Sequence, residues 1–221
     1  MTKRKAKKNI RLAVDICIAV FLLLLMSYQA TGEKIHEWIG IGMTLSVILH
    51  QILNLSWYRA LLSGKGKWTS YRKIVTATDI LLLISTVLTA FSGMSMSVYA
   101  VPFLYGMTKL TLGRRMHLAL SHWCFILAGI HLGLHLPAME TRYIKDEKTQ
   151  RVASTVFTCF AGIGIYLFLR SRILSYIFLT AAFAYFEPGK PKAMVFIEYI
   201  CIFVLWSFIG YMFSMIDRKN R

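Results

Sequence analysis

The feature that most constrains the fold is a series of apolar stretches, each about as long as a membrane is thick. A bilayer core of about 30 Å is crossed by roughly 20 helical residues. Six runs approach or exceed that length: 10–30, 34–62, 74–96, 116–136, 152–169 and 193–215. Since 57% of the whole chain is hydrophobic, the sequence predicts an all-α, polytopic membrane bundle of about six transmembrane helices.

A seventh apolar run, at 173–186, has only fourteen residues between charged flanks. That length is short for a membrane span, so we expect an interfacial or re-entrant segment. The first apolar run is long and lacks a small-residue cleavage site, so we do not expect a cleaved signal peptide.

The basic residues of the chain predict its orientation. A net charge of +16 would indicate nucleic acid as the partner of a soluble domain, but in membrane proteins lysine and arginine collect in cytoplasmic loops. Most of the lysines and arginines fall in the 1–9 tail, in the loops after the second and fourth runs, and at the C-terminus. We therefore predict a multi-pass protein of the cell membrane with both termini in the cytoplasm, lipid around it and no nucleic-acid partner.

All six histidines lie in the second and fourth apolar runs: His36, His50, His117, His122, His131 and His135. Polar side chains are costly within a membrane, and an ionisable residue there indicates function. Residues fourteen apart on a helix share a face and are separated by about 21 Å along the axis. The first and second histidines have this spacing, and so do the third and fifth.

The two histidine-bearing runs are predicted to cross the membrane in the same direction, so their histidines pair by depth. The predicted pairs are His36 with His117 near the outer surface and His50 with His131 nearer the inner surface. Two imidazoles that face each other across a gap are typical of the axial ligands of a six-coordinate b-type haem. His122 points away from this face.

Small residues lie between the histidines of the fourth run, including Ser121, Cys124 and Ala128. They would leave room for a porphyrin, although close helix packing is an alternative reason for small residues. A zinc or copper site would use three or four ligands at one depth. Only His131 and His135 approach that pattern, and we expect neither a carboxylate nor a thiolate beside them.

Two aspartates occupy matching positions in a weak internal repeat, because each lies in the run before a histidine-bearing run. We attribute Asp15 to a helical pair with Arg11, four residues earlier. For Asp79 we consider proton uptake for a quinone or a position near the interface. Glu37 is predicted either to accept a hydrogen bond from the neighbouring His36 or to face water.

Arg114 and Arg115 end the loop before the fourth run, on the predicted outer side. They could hold haem propionates or attract an anion such as superoxide, or they could be solvated loop charges. We predict that the fourth run starts at about Met116 and is stopped by Pro137.

The histidine-bearing runs combine the following residues: Thr31, Gly32, His36, Glu37, Trp38, Gly40, His50, His117, His131 and His135. This pattern resembles the small di-haem membrane cytochromes b, and most of all a bacterial cytochrome b-like family catalogued as a domain of unknown function. It is similar, more distantly, to the cytochrome b subunits of formate dehydrogenase and hydrogenase and to bacterial superoxide oxidase. The transmembrane domains of ferric reductases and NADPH oxidases use the same paired histidines.

The resemblance covers about residues 10–137 and implies a four-helix haem-binding core there. On this basis the chain divides into a basic tail at 1–9, the core at 10–137, and a part at 138–221 with two more transmembrane helices and a short interfacial segment. The resemblance implies two b haems per chain. The implied axial ligands are His36, His50, His117 and His131. His135 could replace His131, contact a haem propionate or touch a quinone.

The function implied by the resemblance is transmembrane electron transfer between a quinone and a redox partner protein, such as a flavoprotein or a cytochrome. A Rossmann fingerprint is absent from the sequence, so a nicotinamide donor would require a separate subunit. Two alternatives stay open: superoxide oxidase or ferric reductase-like chemistry on a small substrate at the outer haem, and a haem-free transporter or scaffold.

Overall fold

The computed structural model describes residues 3–64, 68–143 and 146–219, with the side chains of 7–64, 68–139 and 146–216. The described residues form nine α-helices and one short 3₁₀ helix, and they contain no β-strand. In chain order the helices are α1 (Lys3–Met26), α2 (Tyr28–Thr31), α3 (Glu33–Leu53), α4 (Leu55–Leu62), α5 (Ser70–Met94), α6 (Leu110–Tyr143), α7 (Glu147–Arg170), α8 (Ile173–Ile177) and α9 (Lys192–Lys219), and the 3₁₀ helix is Pro102–Leu104. The described part of the basic 1–9 segment therefore belongs to α1, and residues 1–2 lie outside the described residues.

Five of these helices, α1, α5, α6, α7 and α9, are long and apolar enough to cross a membrane. Helices α3 and α4 pass the same test together, although they are bent by 54° at the break between them, so the bundle has five or six spans. Large apolar side chains such as Leu45, Val87 and Ile163 are exposed on its outside, as expected where lipid is the solvent. The predicted all-α, multi-pass membrane bundle is confirmed.

The second apolar run is two helices rather than the single helix predicted for 34–62, because α3 ends at Leu53 and Asn54 is its C-cap. The side-chain amide of Asn54 donates to the His50 carbonyl over 2.9 Å, and such local side-chain bonds compete with helical ones. The carbonyl of Leu53 at this break accepts a hydrogen bond from the Arg11 guanidinium of α1. The break therefore fixes the end of α3 to α1 within one turn of His50.

Helix α6 is longer than the predicted fourth run at both ends. It begins at Leu110, so Arg114 and Arg115 lie in its first turns rather than in a loop, and it continues through Pro137 to Tyr143. Proline removes one helical hydrogen bond and crowds the carbonyl four residues earlier, which here belongs to Gly133. Membrane bundles tolerate such a proline because neighbouring helices support the backbone, and at Gly133 the backbone of α9 lies directly against α6.

Helix α6 lies between α5 and α9, and its contact with α9 is the most extensive between any two described helices. Glycines allow this approach: a Cβ on Gly129 would lie 2.7 Å from the Trp206 Cβ, and one on Gly210 would overlap the Ile130 carbonyl. Close approach at small residues is typical of helix pairs in membranes. Helix α7 packs on the other side of α9. By contrast, α3 packs mainly on α1, and none of its residues is fully buried.

The short apolar run at 173–186 does not form a membrane-spanning helix, as predicted. It contains only the five-residue helix α8, whose Ile173, Tyr176 and Ile177 are buried. The 178–191 segment then runs without a helix to α9. It is fixed to the bundle through Gln29 of α2, whose side-chain amide exchanges two hydrogen bonds with the backbone of Glu187.

Candidate functional site

His36 of α3 and His117 of α6 lie together near one end of the bundle, as their spacing predicts. Their ring centroids are 6.1 Å apart, and the two rings are nearly perpendicular at 82°. We call these two residues the outer pair, after the predicted orientation of the chain. The helices that carry them do not otherwise pack closely, so the two imidazoles approach each other across a gap.

The His117 ring is held by α5, the helix that packs beside α6. Its Nδ1 lies 3.1 Å from the Thr89 carbonyl and 3.2 Å from the Ser92 hydroxyl. Because a carbonyl only accepts hydrogen bonds, this contact assigns the proton to Nδ1 and leaves the lone pair on Nε2. Gly93 makes room for the ring, since a Cβ there would lie 2.9 Å from Cε1 of His117.

The His36 ring lies against the Leu25 carbonyl of α1, and no carboxylate in the described part of the chain is hydrogen-bonded to it. Among the described residues, its Nδ1 is buried and has no hydrogen-bond partner. The ring packs edge-on against Tyr28 of α2, with centroids 5.0 Å apart, and Tyr28 in turn stacks on Phe186. Burial and the carboxylates of Glu33 and Glu37 raise the pKa of Tyr28, so its phenol stays protonated at neutral pH.

At the other end of α3 and α6, two histidines are each bonded to a carboxylate. Nδ1 of His50 lies 2.7 Å from Oδ1 of Asp15 on α1, and Nδ1 of His131 lies 2.7 Å from Oδ1 of Asp79 on α5. In both pairs the aspartate lies on the long helix that precedes the histidine-bearing helix. The weak internal repeat of the sequence therefore corresponds to two equivalent interhelical pairs. The expected pairing of Asp15 with Arg11 is wrong, because Arg11 donates instead to the end of α3.

His135 completes what we call the inner cluster: His50, His131 and His135 with their two aspartates. The ring of His135 lies 4.7 Å from that of His131, and it interacts electrostatically with His50 and with both aspartates. Ligand atoms of Asp79, His131 and His135 all lie within 4.8 Å of one another. The expectation that no carboxylate accompanies these two histidines is therefore wrong, because α5 brings one to them from a distant part of the chain.

The outer pair matches the dimensions of a metal ion held between two imidazoles. A bond from a metal to an imidazole nitrogen is about 2 Å, and half an imidazole ring adds about 1 Å on each side, so the two centroids should be about 6 Å apart. The observed centroid distance is 6.1 Å. In addition, histidines that bind metals usually donate their other N–H to a carbonyl or carboxylate. His50, His117 and His131 each have Nδ1 against such an acceptor, so at each end of α3 and α6 at least one imidazole has Nε2 free to bind a haem iron.

The charged residues predicted near the outer pair have other contacts. Arg115 donates from Nη2 to the Leu179 carbonyl over 2.7 Å, and the Arg114 guanidinium lies over the Phe183 ring at 5.2 Å. Both arginines thus contact the 178–191 segment while remaining exposed.

The carboxylate of Glu37 binds the loop that follows α5 rather than His36. Its carboxylate accepts hydrogen bonds from the backbone N–H groups of Val98, Tyr99 and Ala100 and from the Ser97 hydroxyl, at 2.7 to 3.0 Å. The loop is thereby fixed to α3 one residue from the outer pair.

His122 lies away from both sites, as its position on the helix predicts. Its Nδ1 donates to the Leu118 carbonyl at 2.7 Å, and its buried ring packs against Tyr176 at 4.8 Å. The small residues between the histidines serve helix packing at two positions: Cys124 is hydrogen-bonded to Thr86 of α5, and Ala128 packs on the hydrophobic core.

Sequence reasoning missed the acceptors that hold the histidines. The signal for the carboxylates was the repeat itself, which places an aspartate in the helix before each histidine-bearing helix. No comparable signal identified the Thr89 carbonyl, because every helical residue carries a carbonyl.

Comparison of the chain with models of protein families, with characterised proteins and with solved structures finds no match.

Proposed function

We propose that the protein is a di-haem cytochrome b that transfers electrons across the membrane. One observation supports this best: three of the four histidines predicted as ligands hold Nδ1 against an acceptor on a neighbouring helix, which leaves Nε2 available to a metal. Such acceptors fix the orientation of a metal-binding imidazole and raise its basicity. A buried histidine that binds no metal would also need a hydrogen-bond partner for its ring. It would not need a second imidazole opposite it.

His36 and His117 would hold the outer haem, and His50 with His131 the inner one. When bound, haem iron supplies a one-electron redox centre whose potential depends on its axial ligands and their hydrogen bonds. The protein orients the imidazoles, and α3 separates its two histidines by about 21 Å along the helix axis. His135 is one turn from His131 and adjoins the same carboxylate, so it is the alternative inner ligand.

A quinone is the proposed lipid-soluble redox substrate. An apolar groove of about 390 Å³ lies between α3, α4 and α5 and is lined by Gln51, Tyr58 and Leu83 among others. The Tyr58 hydroxyl donates to Oε1 of Gln51 over 2.7 Å, which leaves the amide N–H₂ of Gln51 as a donor for a quinone carbonyl. The groove begins one residue from His50, and a soluble flavoprotein or cytochrome would then exchange electrons at the opposite end.

The test is the haem content of purified protein. We expect a reduced b-type spectrum and a pyridine haemochrome count near two haems per chain. His36→Ala and His50→Ala should each lose one haem and keep the other, and His122→Ala, the matched control, should keep both. A colourless wild-type protein from haem-replete cells, or a His50→Ala variant that keeps both haems, would contradict the proposal.

Two substrate alternatives share this scaffold and are separated by a second measurement. Haem reduction by quinol in liposomes supports the quinone-linked function, whereas faster reduction by superoxide, or electron delivery to ferric chelates, supports chemistry at the outer haem.

A second candidate function is favoured by Asp79, His131 and His135, whose ligand atoms lie within 4.8 Å of one another. Two histidines and one carboxylate are typical of non-haem iron sites with open positions. Elemental analysis distinguishes this candidate, because it predicts bound iron or zinc without a haemochrome and loss of that metal in Asp79→Ala. Iron that is fully accounted for by haem would contradict it.

A further inference from the structure

The two ends of the bundle differ in the charge placed beside their histidines. At the inner cluster, both His50 and His131 are bonded through Nδ1 to a carboxylate at 2.7 Å. At the outer pair, His117 is bonded to a neutral carbonyl, and Nδ1 of His36 has no partner among the described residues.

The other charges near the outer pair do not reverse this difference. Tyr28, which contacts His36, is acted on by the negative charges of Glu33 and Glu37 and by the opposing positive charge of Arg114. Glu37 is the carboxylate next in the chain to His36, but three backbone N–H groups and a hydroxyl bind it. Glu37 acts on His36 only through space, whereas Asp15 and Asp79 are hydrogen-bonded directly to the imidazoles.

A carboxylate bonded to the N–H of a metal-binding imidazole increases the basicity of that ligand. Ligand basicity and nearby negative charge both stabilise ferric over ferrous iron, because the ferric site carries one more positive charge. This effect does not depend on whether His131 or His135 is the ligand, since Asp79 lies within 4.8 Å of both.

We propose that Asp15 and Asp79 are positioning residues that make the inner haem harder to reduce than the outer haem, so that electrons pass from the inner cluster to the outer pair. This inference rests on the proposed function. With haem bound at both ends, such a transfer would move one electron, so that the inner iron would go from ferrous to ferric as the outer iron went from ferric to ferrous. No proton and no further reactant enters this step.

The experiment is a potentiometric titration of the full-length protein in detergent, followed by optical spectroscopy. His50→Ala and His36→Ala first identify which titration component belongs to which end. We expect the component lost in His50→Ala to be the one of lower potential. If the lower-potential component is instead the one lost in His36→Ala, the inference is wrong.

The aspartates are then tested by removal of their charge. In Asp79→Asn and Asp15→Asn, the ferrous-to-ferric ratio of the inner haem at a fixed ambient potential should rise about tenfold, equivalent to about 59 mV for one electron. The outer component should not move. Asp146→Asn is the control, because it removes the same charge from the start of α7, outside the cluster, and should shift neither component.

Further results show whether a failed prediction contradicts this inference or the proposed function. Asp79→Glu keeps the charge and should keep the wild-type potential, which a merely steric role of Asp79 would not predict. If Asp79→Asn loses haem, the assignment of potentials by the two histidine variants still decides the inference. Wild-type protein with fewer than two haems contradicts the proposed function, whereas two haems with unshifted potentials in both asparagine variants contradict only this inference.

Discussion

Gly133→Ala tests whether the close contact between α6 and α9 holds the bundle together. A Cβ at this position would overlap the Ser207 carbonyl and lie 2.7 Å from the backbone nitrogen of Tyr211. Both neighbours are backbone atoms, so no side chain can rotate away to relieve the overlap. The two helices must therefore move apart along their shared surface.

The size of the effect follows from that displacement. Ordinary Cβ contacts begin at 3.4 Å, so full relief of the overlap requires α6 and α9 to separate by about 1.5 Å. A gap of about 0.5–1 Å removes a quarter to a half of the attraction between facing atoms, and overpacked cores lose about 1–3 kcal/mol. Alanine recovers about 1 kcal/mol through its helix propensity. Because the overlap is with backbone atoms, we take the upper end of the overpacking range, about 3 kcal/mol. The expected net loss is then about 2 kcal/mol, which lowers Tm by about 4–8 °C for a chain of this size.

The assay is thermal unfolding of detergent-purified protein, followed by circular dichroism at the helical band. Gly162→Ala on α7 is the matched control, because no atom lies within 4 Å of a Cβ built there, and its Tm should be unchanged or slightly raised. A Gly133→Ala variant as stable as the wild type would refute the argument from close packing. Equal destabilisation by Gly162→Ala would refute it as well, since that variant makes no new contact.

Three other predictions concern the contacts around the outer pair. Gly93→Ala should displace the His117 ring, whose Cε1 would lie 2.9 Å from the new Cβ, and the haemochrome count should fall towards one. Glu37→Gln removes the negative acceptor of four hydrogen bonds and should cost about 2 kcal/mol, seen as faster limited proteolysis of the loop after α5; an unchanged cleavage rate would contradict it. Burial lowers the pKa of Lys190, but its bonds to Glu198 and Glu187 outweigh burial and raise the pKa above 10.5. While both glutamates are ionised, the stabilisation by Lys190 is complete below pH 10.5 and is lost as pH rises through the raised pKa. Lys190→Met should therefore increase hydrogen exchange in the 178–191 segment equally between about pH 6 and pH 9.

Sequence reasoning succeeded where the bilayer imposes a simple rule. Length and apolarity were enough to predict the membrane-length helices, and the fourteen-residue spacing was enough to place His36 and His117 together. It failed at the ends of helices, because contacts of individual residues determine where a helix ends. Pro137 lies inside α6 because the neighbouring helix supports the backbone there, and Asn54 breaks the second run through a side-chain bond to the carbonyl of the preceding turn.

The partners of the histidines were missed for a different reason. The pairing of Asp15 with Arg11 was inferred from a four-residue spacing, yet the observed partner, His50, is 35 residues away in the chain. Asp79 reaches His131 across 52 residues. Such contacts depend on which helices pack together, and an apolar run carries little information about its neighbours when lipid and protein interior are equally apolar.

The position of α9 has a consequence for how the bundle assembles. The surface of α6 that carries Gly129 and Gly133 is completed only by a helix encoded some sixty residues later in the sequence. While the chain enters the membrane, this surface must face lipid or a transient companion until α9 arrives. Biogenesis of the histidine-bearing core is therefore coupled to insertion of the final helix, so a chain interrupted after α7 should be a target for membrane quality-control proteolysis.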